Sequence, residues 1–185
     1  MSLQDRLRWE ARHQQARLLA PRRSLSLIPK PAQAAAPALD VACGQGRHSL
    51  ALAARGYRVV SVDVSRHALM HLRSSSIGGA PAIVAVQADL DHWPFRAAAF
   101  DVVVQIDFLD RRLLPALAAS LRPSGTLLID TFLLAGHRNE DGPNNADFML
   151  LPGELPLVYR DLDILHYAEE DAATARATLL ARRRS

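Results

Sequence analysis

Cysteine occurs once in the 185 residues, at Cys43, so no disulfide can close within the chain and a disulfide-stapled scaffold is excluded. Aromatic residues are only 5%, which argues against a nucleic-acid reader that stacks bases on exposed rings. No apolar run approaches the roughly 20 residues of a membrane span. The opening Met1-Ser2-Leu3-Gln4-Asp5-Arg6 lacks the basic-then-apolar layout of a secretory signal. A cytoplasmic protein without membrane contact is expected. Paired-cysteine spacing is missing too, and no metal ion is expected.

What is present fits a folded globular chain: 49% hydrophobic and 22% charged residues, at a length that suits one domain with a sizeable core. The net charge of +3 comes from short clusters, Arg22-Arg23, Arg111-Arg112 and Arg182 to Arg184. These read as solvated basic faces rather than as one phosphate-binding stripe, so a nucleic-acid partner is not expected.

Residues 4–20 have helix-forming composition, with Leu3, Leu7, Ala11 and Leu18 roughly on one face and Pro21 as the stop. Pro29, Pro31 and Pro37 mark an irregular connector. Next, the apolar run Ala38 to Ala42 leads into Cys43-Gly44-Gln45-Gly46, a strand meeting a glycine turn. A helix over 47–55 follows, with Gly56 as its C-terminal stop. Further strands are expected over 57–64, 82–87, 100–106 and 126–132, and helices over 65–76 and 110–121. Arg122-Pro123-Ser124-Gly125 reads as a turn, and 133–152 as a long irregular loop of the kind that is often functional. A short helix after Pro152 precedes two last strands, 162–167 and 173–181, joined by the acidic Glu169-Glu170-Asp171. The link between them is too short for a crossover, so they must pair antiparallel.

The expected architecture is α/β. It is a doubly wound, mostly parallel, Rossmann-like seven-stranded sheet with a C-terminal antiparallel hairpin and helices on both faces. The chain divides into an N-terminal helix and connector (1–37), a cofactor-binding core (38–132), and a substrate-side loop with the hairpin (133–185).

In such a sheet, ligands bind beyond the carboxyl ends of the strands, where the strand order reverses. Asp40, Asp63 and Asp89 sit at those ends, and Gly44 and Gly46 let backbone approach a ligand closely. A strand, a Gly-x-Gly turn, a helix, then a strand ending in Asp about 20 residues on points to a nucleotide-like ligand. Plainer roles stand beside this one: a tight turn for the glycines, a helix cap for Asp63, a polar turn with Asp91 for Asp89. Ser49 occupies the place of the third glycine of a dinucleotide fingerprint. Because serine is small, a nicotinamide-dependent oxidoreductase stays open at this point.

Leu39-Asp40-Val41-Ala42-Cys43-Gly44-Gln45-Gly46-Arg47-His48-Ser49 resembles motif I of the class I S-adenosylmethionine-dependent methyltransferases. The form is that of small-molecule enzymes, the tellurite-resistance methyltransferases and, more distantly, the thiopurine methyltransferases. Later landmarks are Phe100-Asp101-Val102-Val103, Leu121-Arg122-Pro123-Ser124-Gly125 and Asp130-Thr131-Phe132-Leu133. The resemblance implies that Asp40 and the backbone of Cys43, Gly44 and Gly46 surround the amino-acid end of S-adenosylmethionine. Asp63 would accept both ribose hydroxyls. Asp89 would take the adenine amino group, with the Leu90 backbone beside the ring. Gln105 would face the methionine portion, and Arg47 would pair with the cofactor carboxylate or a neighbouring acid.

The departures are informative. Position 42 is Ala where many methyltransferases carry Gly. Strand four ends Gln105-Ile106-Asp107-Phe108, without the Asn/Asp-Pro-Pro-aromatic signature of amino-methylating DNA enzymes. In Trp9-Glu10-Ala11-Arg12-His13, His13 stands where the family usually has Tyr.

On the acceptor side, His137, Arg138 and His166 are the candidates, since Arg and His attract an anion and His can take a proton near neutral pH. An exposed loop pair and an ordinary strand residue are the equal alternatives. Cys43 reads as a buried structural thiol, and Trp93 as packing near the adenine. The expected function is methyl transfer from S-adenosylmethionine to a small molecule such as a thiol or tellurite, by a monomer or homodimer. RNA methylation and a non-catalytic S-adenosylmethionine-binding module are the alternatives.

Overall fold

The computed structural model describes residues 10–11, 18–76, 82–92, 95–134, 142–143, 145–170 and 175–185. Of the helix expected over 4–20, Glu10 and Ala11 are described and helical, whereas Leu18 to Ala20 are irregular. Pro21 disfavours helical backbone at the residue before it, and Leu18 and Leu19 are exposed rather than part of an apolar face. His137, Arg138 and Trp93 lie outside the described residues.

Seven strands form the sheet: β1 (Pro37–Val41), β2 (Arg58–Asp63), β3 (Ile83–Gln87), β4 (Phe100–Ile106), β5 (Leu121–Phe132), β6 (Asp163–Glu170) and β7 (Arg176–Arg182). Their order is β3-β2-β1-β4-β5-β7-β6. The first five run parallel, while β7 pairs antiparallel with both β5 and β6. The order reverses between β1 and β4, which opens a crevice beyond their carboxyl ends.

Alternating side chains feed two cores, one on each face. Leu39, Val41, Val62, Val103, Leu127 and Ile129 point to one, and Ala38, Val59, Val102, Val104 and Leu128 to the other. Helix α1 (Arg47–Ala54) lays Leu52 on the second core. Helix α2 (Arg66–Ser75) packs Leu69 and Leu72 near Cys43, with its first turn capped by Ser65, whose hydroxyl accepts from Ala68 N–H. Helix α3 (Leu114–Ser120) covers the first core with Leu114 and Leu117, and α4 (Glu154–Val158) adds Leu155.

Several boundaries differ from the sequence expectation. The helix expected over 110–121 starts as a 3-10 turn, Arg111–Leu113, because Pro115 has no N–H to give to a longer helix and Asp110 caps Arg112 N–H instead. Leu121 already pairs with Phe100 as the first residue of β5. The expected turn Arg122-Pro123-Ser124-Gly125 is therefore inside β5, as a bulge opposite Asp101. Ser124 takes φ 64° there, and a Cβ on Gly125 would lie 2.9 Å from the Arg122 carbonyl and 3.0 Å from that of Phe100. Both are backbone atoms, which cannot swing aside as the end of a flexible side chain can.

The long loop is also more structured than expected. Leu150 N–H donates to Phe132 O, and Leu134 N–H to Leu150 O, so this segment lies along the tip of β5. Arg111 fastens it, with hydrogen bonds to both Glu154 oxygens and to the carbonyls of Asp147 and Met149. The acidic pair Glu169-Glu170 belongs to β6 rather than to a turn.

Gly125→Ala is expected to lower folding stability by roughly 1–3 kcal/mol through forced backbone movement at the bulge. Urea unfolding would measure it, and a wild-type midpoint would show that the bulge has room.

Candidate active site

The turn after β1 is shaped by three left-handed residues, Ala42 (φ 54°), Gly44 (φ 54°) and Gly46 (φ 83°). Gly46 has a second reason to be glycine, since a Cβ there would run into the buried Leu72 side chain. Ala42 holds this conformation at a cost of roughly 1–2 kcal/mol.

Asp63, at the tip of β2, fastens the turn. Its Oδ2 accepts Gly44 N–H at 2.7 Å and its Oδ1 accepts Ser65 N–H at 2.8 Å. Ala88 N–H donates to Asp63 O, which ties the tip of β3 to that of β2. Beyond it Asp89 is partly exposed and accepts Asp91 N–H at 3.0 Å, while Leu90 turns into the core. Gln105 on β4 is in register with Val41, the last residue of β1. It is fully buried, donates from Nε2 to Phe108 O at 2.9 Å, and leaves Oε1 without a partner among the described residues.

Asp40 lies beneath the turn rather than on its surface, 1% exposed. Ser49 Oγ donates to its Oδ2 at 2.5 Å and Ser61 Oγ donates to Ser49 Oγ at 2.7 Å. Burial pushes the Asp40 carboxyl up to about 7, opposed by the Ser49 hydrogen bond and assisted by the neighbouring Asp63 charge. Cys43 is also buried, and burial pushes its thiol well up, which suits a structural role.

Sequence reasoning missed an ion-pair cluster at the tips of β4, β5 and β7. Asp107, the residue after β4, takes φ 58°, a left-handed conformation that Asp tolerates. Its carboxylate accepts from Arg22 of the connector at 3.0 Å, from Arg176 of β7 at 2.8 Å, and from Arg47 at the start of α1. Arg176 also reaches Asp130 of β5 at 2.7 Å through Nε, and Ser24 Oγ donates to Asp130 at 2.5 Å. These arginines hold the Asp107 carboxyl below its ordinary range, although burial opposes them. Arg47 thus pairs here with a neighbouring acid, and also donates to Ala20 O at 3.1 Å. The signal available in the sequence was an acid directly after an apolar strand. Its three partners come from segments far apart in the chain, which periodicity cannot bring together.

The structure gathers Asp40, Cys43, Gly44, Gly46, Arg47, Asp63 and Gln105 around adjacent strand tips, with Asp89 and Leu90 just past β3. It does not bring His166 there. That residue is exposed on the outer strand β6, opposite Leu180 at mid-height of the sheet. Four strand spacings separate β6 from β1, roughly 19 Å. His67 and His71 have the spacing of a helical metal-binding pair, yet His67 is engaged by Glu10 through Nδ1 at 2.6 Å. Among the described residues no group of three or more His, Cys, Asp or Glu could hold a metal ion.

The arginine clusters are largely spoken for. Arg112 pairs with Asp110 and Asp91, Arg122 with Asp101, and Arg184 with Asp163. Among the described residues no helix is long and apolar enough to cross a membrane.

The methyltransferase-domain family profile matches residues 38–125. This match, the glycine turn and the sheet order make the chain similar to the class I S-adenosylmethionine-dependent methyltransferases. Among individual proteins, it is similar to a ubiquinone biosynthesis O-methyltransferase of Idiomarina loihiensis, at 31% identity over 102 residues, 50% of this chain and 41% of that one. The chain thus spans less than half the length of this curated relative. In structure it is similar to TehB of Haemophilus influenzae, with a TM-score of 0.66 and 25% identity over 80% of this chain and 58% of that one. A Burkholderia thailandensis 1,6-didemethyltoxoflavin N1-methyltransferase, solved with 1,6-didemethyltoxoflavin and S-adenosylhomocysteine, shares the fold at a TM-score of 0.62. Its identity is 20%, over 82% of this chain and 72% of that one.

The buried carboxyl of Asp40 generates a pH prediction. The folded protein holds its proton more tightly than the unfolded chain, so stability falls as pH rises from 3.8 to about 7, with the full penalty above that. Asp40→Asn keeps an oxygen for Ser49 and should remove this component, on the order of a few kcal/mol. Denaturant titrations at about pH 4 and about pH 8 would measure it. Equal pH dependence in the two proteins would contradict the assignment.

Proposed function

We propose that this chain transfers the methyl group of S-adenosylmethionine to a small-molecule acceptor, and that its 38–132 core holds the cofactor. The observation that carries the reading is the left-handed glycine turn clasped to the Asp63 carboxylate, beside the orphaned Gln105 Oε1. Backbone and carboxylate at these strand tips suit an adenosine with an amino-acid tail, and a buried acceptor atom without a partner suits a ligand N–H.

In this reading, the Asp63 carboxylate takes the ribose hydroxyls. Asp89 takes the adenine amino group and the Leu90 backbone lies beside the ring. Cys43, Gly44 and Gly46 line the amino-acid end, with Asp40 supporting the turn from below through Ser49. Gln105 faces the methionine portion, and Arg47 pairs with the neighbouring acid Asp107.

Bound S-adenosylmethionine would supply a sulfonium-activated methyl group. What remains for the protein is alignment of the acceptor behind that methyl and exclusion of water, which can supply roughly 7–11 kcal/mol of the barrier. A thiolate or an oxyanion such as tellurite needs no strong general base, and the likeness to TehB supports this acceptor class. His137 and Arg138 of the 133–185 segment are the proposed acceptor-side groups. The pairing of the arginine clusters with acids weighs against an RNA substrate.

Calorimetry with S-adenosylmethionine and S-adenosylhomocysteine tests the cofactor, and labelled cofactor with tellurite, thiols and thiopurines tests turnover. Binding without turnover on any acceptor would favour a cofactor-binding module instead. Asp63→Ala should weaken S-adenosylhomocysteine binding by roughly 1–3 kcal/mol, the worth of a charged hydrogen-bond partner. Unchanged affinity in a folded variant would sink the ribose contact.

A further inference from the structure

The cluster around Asp107 carries more positive than negative charge. Arg22, Arg47 and Arg176 face Asp107 and Asp130, so among the described residues one guanidinium charge is left over. His48 sits beside them, accepting Arg22 N–H at Nε2, but burial pushes it down to about 3 and it adds no charge. An uncompensated charge this close to the interior is costly and calls for a counterion. Arg176 Nη1 is buried with no partner, and no described hydrogen bond uses Arg22 Nη1 or Arg47 Nε. Solvent reaches the cluster most at Arg22 and least at Arg176: the side chains of Arg22, Asp107 and Arg47 are 36%, 22% and 18% exposed, against 10% for Arg176.

Its place in the sheet indicates which ligand group it meets. The adenosine-facing residues proposed above sit over β3, β2 and β1, whereas the acids of the cluster and Arg176 sit at the tips of β4, β5 and β7, with Arg22 and Arg47 reaching them from the connector and the start of α1. A ligand group there lies on the far side of Gln105 from the adenosine.

We propose that Arg22, Arg47 and Arg176 form a subsite for a singly charged oxyanion on the methyl acceptor, with Asp107 as the internal counterion that it displaces in part. The proposal rests on the methyltransferase reading and narrows its substrate class to acceptors bearing a carboxylate or a comparable oxyanion. Guanidinium forks match such groups through paired, charge-assisted hydrogen bonds. In the ligand-free protein the Asp107 carboxylate keeps the forks aligned, so little reorganisation is needed on binding.

The test compares mercaptoacetate with 2-mercaptoethanol, two-carbon thiols that differ in carboxylate against hydroxyl. Each is titrated calorimetrically into protein saturated with S-adenosylhomocysteine. Mercaptoacetate should bind about tenfold or more tightly, the effect of one charged hydrogen-bond pair. Arg22→Met should reduce the preference to about twofold or less. Asp107→Asn keeps the residue shape and its tolerance of left-handed backbone, but frees the guanidiniums. It should therefore tighten mercaptoacetate binding severalfold, an outcome that mere structural damage would not produce.

Equal affinity for the two thiols, or Asp107→Asn weakening or leaving unchanged the binding of mercaptoacetate in a folded protein, would overturn the proposal. The cofactor titration is read separately. Failure to bind S-adenosylhomocysteine at all would remove the methyltransferase reading, and this subsite with it. Cofactor binding without anion preference removes the subsite alone.

Discussion

A single carboxylate holds the crevice in shape. Asp63 takes one backbone N–H from the glycine turn and one from the start of α2, so the loop after β1 and the loop after β2 cannot drift apart without leaving a buried charge unsatisfied. Everything proposed for the cofactor depends on this fixed separation. The left-handed residues of the turn gain their value from it, because they orient backbone that the carboxylate then pins. The buried Asp40–Ser49–Ser61 chain performs the complementary task underneath, joining β1, α1 and β2 through side chains. The site is thus supported from two directions by short polar links, while Leu72 blocks any added bulk at Gly46.

On the other side of β4 the organisation is ionic rather than backbone-mediated. Asp107 and Asp130 join the connector, the first helix and the last strand through arginines, and Phe132 lies under the Arg176 guanidinium at 4.9 Å. The two halves of the crevice therefore differ in character. One is backbone pinned by a carboxylate, suited to a constant ligand. The other is a charged set with donors to spare, suited to selection among ligands.

Much of this was legible in the residues. The alternation of apolar strands with helices, the Gly-x-Gly turn and the Asp at the second strand tip led to the sheet, its hairpin and the crevice. Elements with strong local patterning, such as Val102 to Val104 or Ser65 before α2, appear where expected. The errors share a cause, which is tertiary pairing overriding local chemistry. Arg122-Pro123-Ser124-Gly125 has every local feature of a turn, yet Phe100 and Arg183 recruit its flanks into a bulged strand. Glu169 looked like a turn residue but accepts Gly153 N–H from β6. The Asp107 cluster was invisible because each arginine is locally an ordinary surface residue. Asp40 carried the right residue type at the right place, but only the packing of Ser49 and Ser61 over it shows that it faces inward.

The insertion of β7 between β5 and β6 has a bearing on biogenesis. Residues 176–182 follow β6 in the chain, yet they fill an interior position and pair with β5 along Thr126 to Phe132. Until they emerge, β5 presents a bare apolar edge, with Leu127, Leu128 and Ile129 unshielded, and such edges recruit other nascent chains. The sheet therefore closes from its middle only once this strand has been made, and Arg176 reaches its acids only then. A chain without this strand leaves the β5 edge open to pairing with other chains, a hazard separate from any loss of stability.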